Sequence, residues 1–140
     1  MQQLKTLILS LMVFLGAAAI AVAQEETIKL KAGSDGQNFL TDAKGMTLYY
    51  YTKDARGESV CYGNCANAWP IFYAPTISVP PTLQASDFGT ITRTDGSKQT
   101  TYRGWPLYYW QRDAKPGDIT GEKVGGVWFV IDPAKFPPTM

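Results

Sequence analysis

The sequence contains no histidine, and that absence narrows its chemistry more than any residue present. Histidine is the commonest general base near neutral pH and the commonest transition-metal ligand. Without it no Ser-His-Asp or Cys-His device can be assembled. Only two cysteines occur, Cys61 and Cys65. Two thiolates without imidazole supply half of a tetrahedral zinc site. No C-x-x-C-H string is available for covalent haem. The chain also lacks G-x-G-x-x-G, P-loop, G-x-S-x-G and H-E-x-x-H strings. No catalytic residue, no metal site and no cofactor are read from it.

Excess charge is missing too. Thirteen Lys plus Arg face twelve Asp plus Glu. A net charge of +1 gives no electrostatic support for a nucleic-acid or anionic-membrane partner. Helical periodicity is scarce. Short β-prone runs punctuated by Gly, Pro and Asx turns dominate, which reads as all-β.

Only one long apolar run occurs. It extends from Leu7 to Val22, follows Lys5 and ends at Ala21-Val22-Ala23 before Gln24. A cation, an apolar stretch and a small-x-small site form a secretory signal peptide. The alternative is an uncleaved anchor, but Leu7 to Ala23 is just short of the roughly 20 residues needed to span a bilayer. The expectation is a signal over 1–23, no transmembrane segment after cleavage, and one domain over 24–140 in the periplasm or outside the cell.

What the mature region does contain is a repeat. Gly45-Met46-Thr47-Leu48-Tyr49-Tyr50-Tyr51-Thr52-Lys53-Asp54-Ala55 returns as Gly104-Trp105-Pro106-Leu107-Tyr108-Tyr109-Trp110-Gln111-Arg112-Asp113-Ala114. Six of eleven positions are identical without a gap. The same offset carries Trp69 onto Trp128. Internal self-similarity of this kind marks one structural unit used twice. The copies span about residues 27–75 and 87–133. Ala74 to Ser86, with Pro75, Pro80 and Pro81, reads as the crossover between them, and Asp132 to Met140 as a tail that leaves the sheet.

Within each copy the pattern predicts a hairpin and then a central strand. Thr27 to Ala32 alternates apolar and polar residues, as a half-buried strand does. Asp35-Gly36 and Asp95-Gly96 are hairpin turn signals. Met46 to Thr52 and Trp105 to Gln111 are the doubled strands. Their alternation puts Tyr49 and Tyr51 opposite Leu48 and Tyr50, and Tyr108 and Trp110 opposite Leu107 and Tyr109. Both faces are largely apolar, so these strands are expected to be covered on both sides. Trp69 to Tyr73 and Val127 to Ile131 close the copies. The one helical candidate is Gly63 to Ala68, stopped by Trp69-Pro70. A two-sheet sandwich and a small closed barrel fit equally well.

The candidate site residues follow from the repeat. Tyr49, Tyr51, Tyr108, Trp110, Trp69 and Trp128 either fill a core, with hydroxyls reaching its rim, or form a platform that stacks on a ligand. Asp54 and Asp113 each open a turn. Such an Asp accepts the backbone N–H two residues on. The alternative is a carboxylate pair meeting at the repeat axis to hold a cation such as calcium. Cys61 and Cys65 lie within one helical turn of each other, inside the reach of a disulfide. In an exported protein an oxidised pair is the default, and a redox-active pair is the alternative.

Together these motifs resemble the bacterial secreted repeats of unknown function, also described as lipoproteins with a Tyr-x-(Phe/Trp/Tyr)-x-x-Asp motif. That motif occurs here as Tyr49-x-Tyr51-x-x-Asp54 and Tyr108-x-Trp110-x-x-Asp113. Cys61-x-Gly63-x-Cys65-Ala66-x-x-Trp69-Pro70, Arg93-x-Asp95-Gly96 and Pro116-Gly117-Asp118 match further elements. Many relatives carry a lipid-attachment Cys at the signal; this chain has none. The resemblance implies export and a repeat architecture, and no established activity. The functional expectation is an envelope module without enzymatic activity, acting by binding or as a structural part. Its partner is unknown, with an envelope protein or a glycan the candidates. A redox accessory role through Cys61 and Cys65, and glycan binding through exposed Tyr and Trp, are the alternatives.

Overall fold

The computed structural model describes residues 11–13, 16–17 and 25–136. The expected signal cleavage site, Ala21-Val22-Ala23, lies outside the described residues. Among the described residues no helix is long and apolar enough to cross a membrane. Among the described residues the fold is all-β with one short α-helix and two single 3-10 turns. In chain order it runs β1 (Ile28–Ala32), β2 (Asn38–Asp42), β3 (Tyr49–Tyr51), α1 (Asn64–Ala68), β4 (Phe88–Thr92), β5 (Lys98–Tyr102), β6 (Trp105–Pro106) and β7 (Trp128–Val130).

The strands form three small antiparallel sheets, β1-β2, β3-β7 and β4-β5-β6. The two hairpins are copies. Leu30 opposes Leu40 in the first and Thr90 opposes Thr100 in the second, sixty residues on. Their turns match as well. Asp35 Oδ1 accepts from Gln37 N at 3.0 Å and Asp95 Oδ1 from Ser97 N at 2.9 Å. Gly36 and Gly96 sit at φ 80° and 86°, where an L side chain is strained.

Past the hairpins the copies trade strands. β3 of the first copy pairs with β7 of the second, Tyr49 opposite Val130 and Tyr51 opposite Trp128. The reverse exchange uses the segment after α1. Phe72 N donates to Leu107 O, Tyr109 N to Pro70 O and Gln111 N to Ala68 O, at 2.7 to 3.0 Å. The crossing point is a reciprocal bridge, Tyr49 N to Tyr108 O at 2.8 Å and Tyr108 N to Tyr49 O at 3.0 Å. The regular ladders at Trp105 to Gln111 and Trp69 to Tyr73 are shorter than the sequence predicts. Only Trp105–Pro106 is a strand, and the rest is joined by single bridges at Tyr108.

The crossing strands are covered on both sides, as their alternation predicts. One core holds Leu48, Tyr50 and Leu107 with Ile28, Leu40, Tyr102, Ile131 and Phe136. The other holds Tyr49 and Tyr108 with Cys61, Trp69, Trp128 and Val130. Leu48 and Leu107 are fully buried, and each such side chain contributes about 2 kcal/mol. The tail leaves the sheet after β7. Phe136 returns to the first core and packs edge-on against Tyr50 at 4.8 Å between ring centroids. Arg103 holds it there through the carbonyl of Phe136.

Candidate functional site

The doubled motif forms a two-way clasp across the repeat axis. Tyr49 O–H of the first copy donates to Asp113 Oδ2 of the second at 2.6 Å. Tyr108 O–H of the second donates to Asp54 Oδ2 of the first at 2.7 Å. The other oxygen of each carboxylate closes its own loop. Asp54 Oδ1 accepts from Val60 N at 2.8 Å. Asp113 Oδ1 accepts from Thr120 N at 3.0 Å and from the Thr120 hydroxyl at 2.6 Å. The expected acceptance from the residue two places on is therefore replaced by longer loops of six and seven residues. The two carboxylates act on separate tyrosines. Among the described residues no group of three or more Asp, Glu, Cys or His could hold a metal ion.

The same axis organises the indoles. Tyr51, Trp128, Trp69 and Trp110 form one stack, with successive centroids 4.1, 3.8 and 4.0 Å apart. Each clasp tyrosine sets its edge against the stack, Tyr49 on Trp69 at 5.4 Å and Tyr108 on Trp128 at 5.1 Å. Such pairs contribute about 0.5–1.5 kcal/mol each beyond area burial. Trp69 and Trp128 are buried inside the stack, whereas Tyr51 and Trp110 at its ends are half-buried. Gly121 closes the stack against the clasp. A Cβ there would lie 2.9 Å from the Tyr49 ring and 3.0 Å from Trp110. Its N–H also donates to the Tyr49 hydroxyl at 3.2 Å.

The two halves of the clasp are held differently. Around Tyr108 lies a buried polar cluster. Arg93 Nη1 donates to Ser59 Oγ and to Gln99 Oε1, both at 2.7 Å, and Nη2 donates to the Cys61 carbonyl. Gln99 Nε2 donates to Leu107 O at 2.8 Å. Ser59 already accepts from Arg93 and from Cys61 N. Tyr108 spends its single proton on Asp54. The 2.6 Å contact between the two hydroxyls is therefore Ser59 donating to Tyr108. The chain of bonds runs from the Arg93 cation through Ser59 and Tyr108 to the Asp54 carboxylate. Burial pushes Asp54 up from the usual carboxylate range, against the opposing pull of Tyr108, Val60 N–H and Arg93. Burial also raises the Tyr49 and Tyr108 hydroxyls, and the partner carboxylates add to this. Both tyrosines stay protonated, as the clasp requires.

Arg93 is the residue that sequence reasoning undervalued. It was visible only as part of a turn motif. Its counterpart in the first copy is Gly33, and that of Gln99 is Phe39. Two polar residues replacing Gly and Phe on one hairpin are the signal that could have flagged a buried cluster.

The cysteines are joined. Cys61 and Cys65 form a disulfide with Cα atoms 5.2 Å apart. Cys61 lies before α1 rather than inside it, so the bridge clips a coil residue to the helix start. Cys61 is fully buried in the core that holds Trp69 and Trp128.

A family model described as "Secreted repeat of unknown function" matches residues 29–72 and again 89–132. The chain belongs to that family. The two matched stretches are the two strand-exchanging copies, and membership makes the protein an exported module. No curated protein and no solved structure matches it. In this secreted repeat the motif Tyr and Asp of each copy are bound to those of the other. The six motif aromatics share one core, which also holds Cys61 and Cys65.

Proposed function

We propose that this secreted repeat is a non-enzymatic envelope module whose doubled motif is architectural. The carrying observation is that each motif carboxylate has both oxygens engaged by protein donors and each clasp tyrosine spends its proton on it. A general acid or nucleophile needs a group free to meet substrate; these groups meet each other. The buried Trp69-Trp128 pair supports the same reading, since its faces are covered by other rings. The disulfide fits a staple that shapes the chain leading to Trp69. We place the protein in the periplasm or outside the cell, released from its signal before Gln24.

The test is native mass spectrometry of protein taken from the cell envelope, for the natural chain and for Tyr49→Phe. The expected species begins at Gln24, carries an oxidised cysteine pair, and keeps any retained partner in both forms. A partner or a turnover lost in Tyr49→Phe, at a temperature where that variant is folded, would overturn the architectural reading.

A further inference from the structure

The repeat supplies an internal control for one hydroxyl. In the second copy the Tyr109 hydroxyl donates to Asp42 Oδ2 at 2.8 Å. Its counterpart in the first copy is Tyr50, and the position matching Asp42 is occupied by Tyr102. The carboxylate is gone. Tyr50 is only 5% exposed, yet among the described residues its hydroxyl has no hydrogen-bond partner. Among the described residues the enclosed polar side-chain atoms without a partner are Tyr102 Oη, Trp105 Nε1 and Trp110 Nε1, whereas the Tyr50 hydroxyl keeps contact with solvent. Where the fold could satisfy this tyrosine it did so in one half and left it open in the other.

Tyr50 opens onto a cavity of about 380 Å³, lined also by Ile119, Glu122, Phe129, Asp132 and Phe136. That is the size of an ordinary small-molecule site. Three aromatic rings form part of its wall. Phe129 lies 6.0 Å from Tyr50 and Phe136 4.8 Å, at interplanar angles of 34° and 83°. Glu122 is half-buried among them. One of its oxygens takes the Val130 N–H at 3.3 Å, and no cation stands within ion-pair distance. Among the described residues the one ion pair is Arg103 with Asp87. Burial is the main reason the Glu122 carboxyl is raised, with the Val130 N–H and Lys123 pulling it down and Asp35 pushing it up more weakly. The two lysines of the cavity, Lys123 and Lys135, are exposed at its mouth, where water and salt screen them. The lining carries three carboxylates, Asp35, Glu122 and Asp132, against these two lysines, beside the three aromatic rings.

We propose that this cavity binds a small amphipathic primary amine. The apolar body lies against Tyr50, Phe129 and Phe136. The ammonium donates to the free oxygen of Glu122 and to the Tyr50 hydroxyl oxygen. An ammonium has three donors, enough to reach both oxygens, and the Tyr50 proton is left to solvent. Aromatic faces around a cation add attraction of their own. A carboxylate-bearing ligand of the same shape would meet Glu122 and Asp132 with like charge. The cavity shares no residue with the Tyr–Asp clasp, so this site stands apart from the architectural reading of the motif.

The experiment compares three probes of one shape by calorimetric titration and aromatic NMR shifts: phenethylamine, 2-phenylethanol and phenylacetate. Phenethylamine is expected to bind about tenfold tighter than the alcohol, and phenylacetate weakest. Glu122→Gln should weaken phenethylamine about tenfold and leave the alcohol unchanged. Tyr50→Phe removes one oxygen only and should weaken the amine severalfold. Phenylacetate binding as tightly as the amine, an undiminished amine affinity in both variants, or no binding of any probe would each overturn the proposal. None of these outcomes alters the Tyr49→Phe result, so the two readings fail separately.

Discussion

Tyr108 donates its phenolic proton to Asp54 from a position 54 residues downstream, inside a fully buried cluster, while its repeat mate Tyr49 reaches Asp113 at the edge of the fold. Equivalent bonds therefore carry unequal weight. Tyr108→Phe strands the Asp54 oxygen and the Ser59 proton in the interior. Leaving such groups unpaired costs about 1–3 kcal/mol. Tyr49→Phe removes the acceptor of the Gly121 N–H at a long 3.2 Å but leaves Asp113 half-buried, with Thr120 still bonded to it, and should cost less, about 1 kcal/mol. Urea unfolding of the two variants checks the order. Equal losses would contradict it.

Gly121 should tolerate no side chain. Gly121→Ala drives a Cβ into the Tyr49 ring and Trp110, both at 3.0 Å or less. Overpacking of this kind costs about 1–3 kcal/mol. Gly36→Ala has open space around the added carbon and meets only the strain of its φ of 80°, about 1 kcal/mol. Thermal melts of both variants, with near-ultraviolet circular dichroism reporting the Trp stack, separate the causes. The aromatic signal should change in Gly121→Ala alone.

These contacts bear on what a reader of the sequence could have foreseen. The strand alternation at Leu48 to Tyr51 was legible, because period-two patterning depends only on neighbours along the chain. So were the Asp35 and Asp95 turns, which are local. The partner of each Tyr and Asp was not legible. Trp69 pairing with Trp128 follows from the strand exchange, and a sequence offset says that two segments are alike without saying that they touch. Arg93 and Tyr50 were missed for a related reason. Their importance comes from what the other copy has at the matching place. The return of Phe136 to the core was masked by its prolines, which signalled only an end to regular structure.

Glu122→Gln should stabilise the unliganded protein at neutral pH. Burial raises the Glu122 carboxyl above its ordinary value of 4.5. The folded state then binds its proton more tightly than the unfolded chain does. Stability from this group is full below the ordinary value and is lost as pH rises toward the folded one. Glutamine carries no charge to bury and can keep the Val130 N–H. The melting temperature of Glu122→Gln should exceed that of the natural chain at pH about 7 and converge with it near pH 3. Asp54, also raised by burial, adds a decline of the same sign to both proteins and cancels from the difference.

The cysteine pair should resist glutathione while the protein is folded, since Cys61 is fully buried. Its ring closes over a separation of four residues. Loss of such a short loop, in Cys61→Ser with Cys65→Ser, should cost about 2 kcal/mol. Alkylation and mass measurement across graded redox buffers decide it. A pair that titrates near the envelope potential in the native state would favour a redox role.

Chain cleavage between the copies should leave two pieces that need each other. Residues 25–76 and 87–136, made separately, should show no cooperative unfolding alone and regain it when mixed. Each fragment lacks the strand that its central tyrosines pair with. A fragment that melts cooperatively by itself would show that the exchange is dispensable.

Strand exchange also sets a counting rule. One copy owes a strand to its neighbour and is owed one in return, and the debt closes between two. A third copy added in tandem would find no creditor. It would expose bare backbone along Tyr49-like and Trp69-like segments, an open edge that invites association with other chains. Lengthening by duplication is therefore expected in even steps, and an odd-numbered relative should close its account by dimerising.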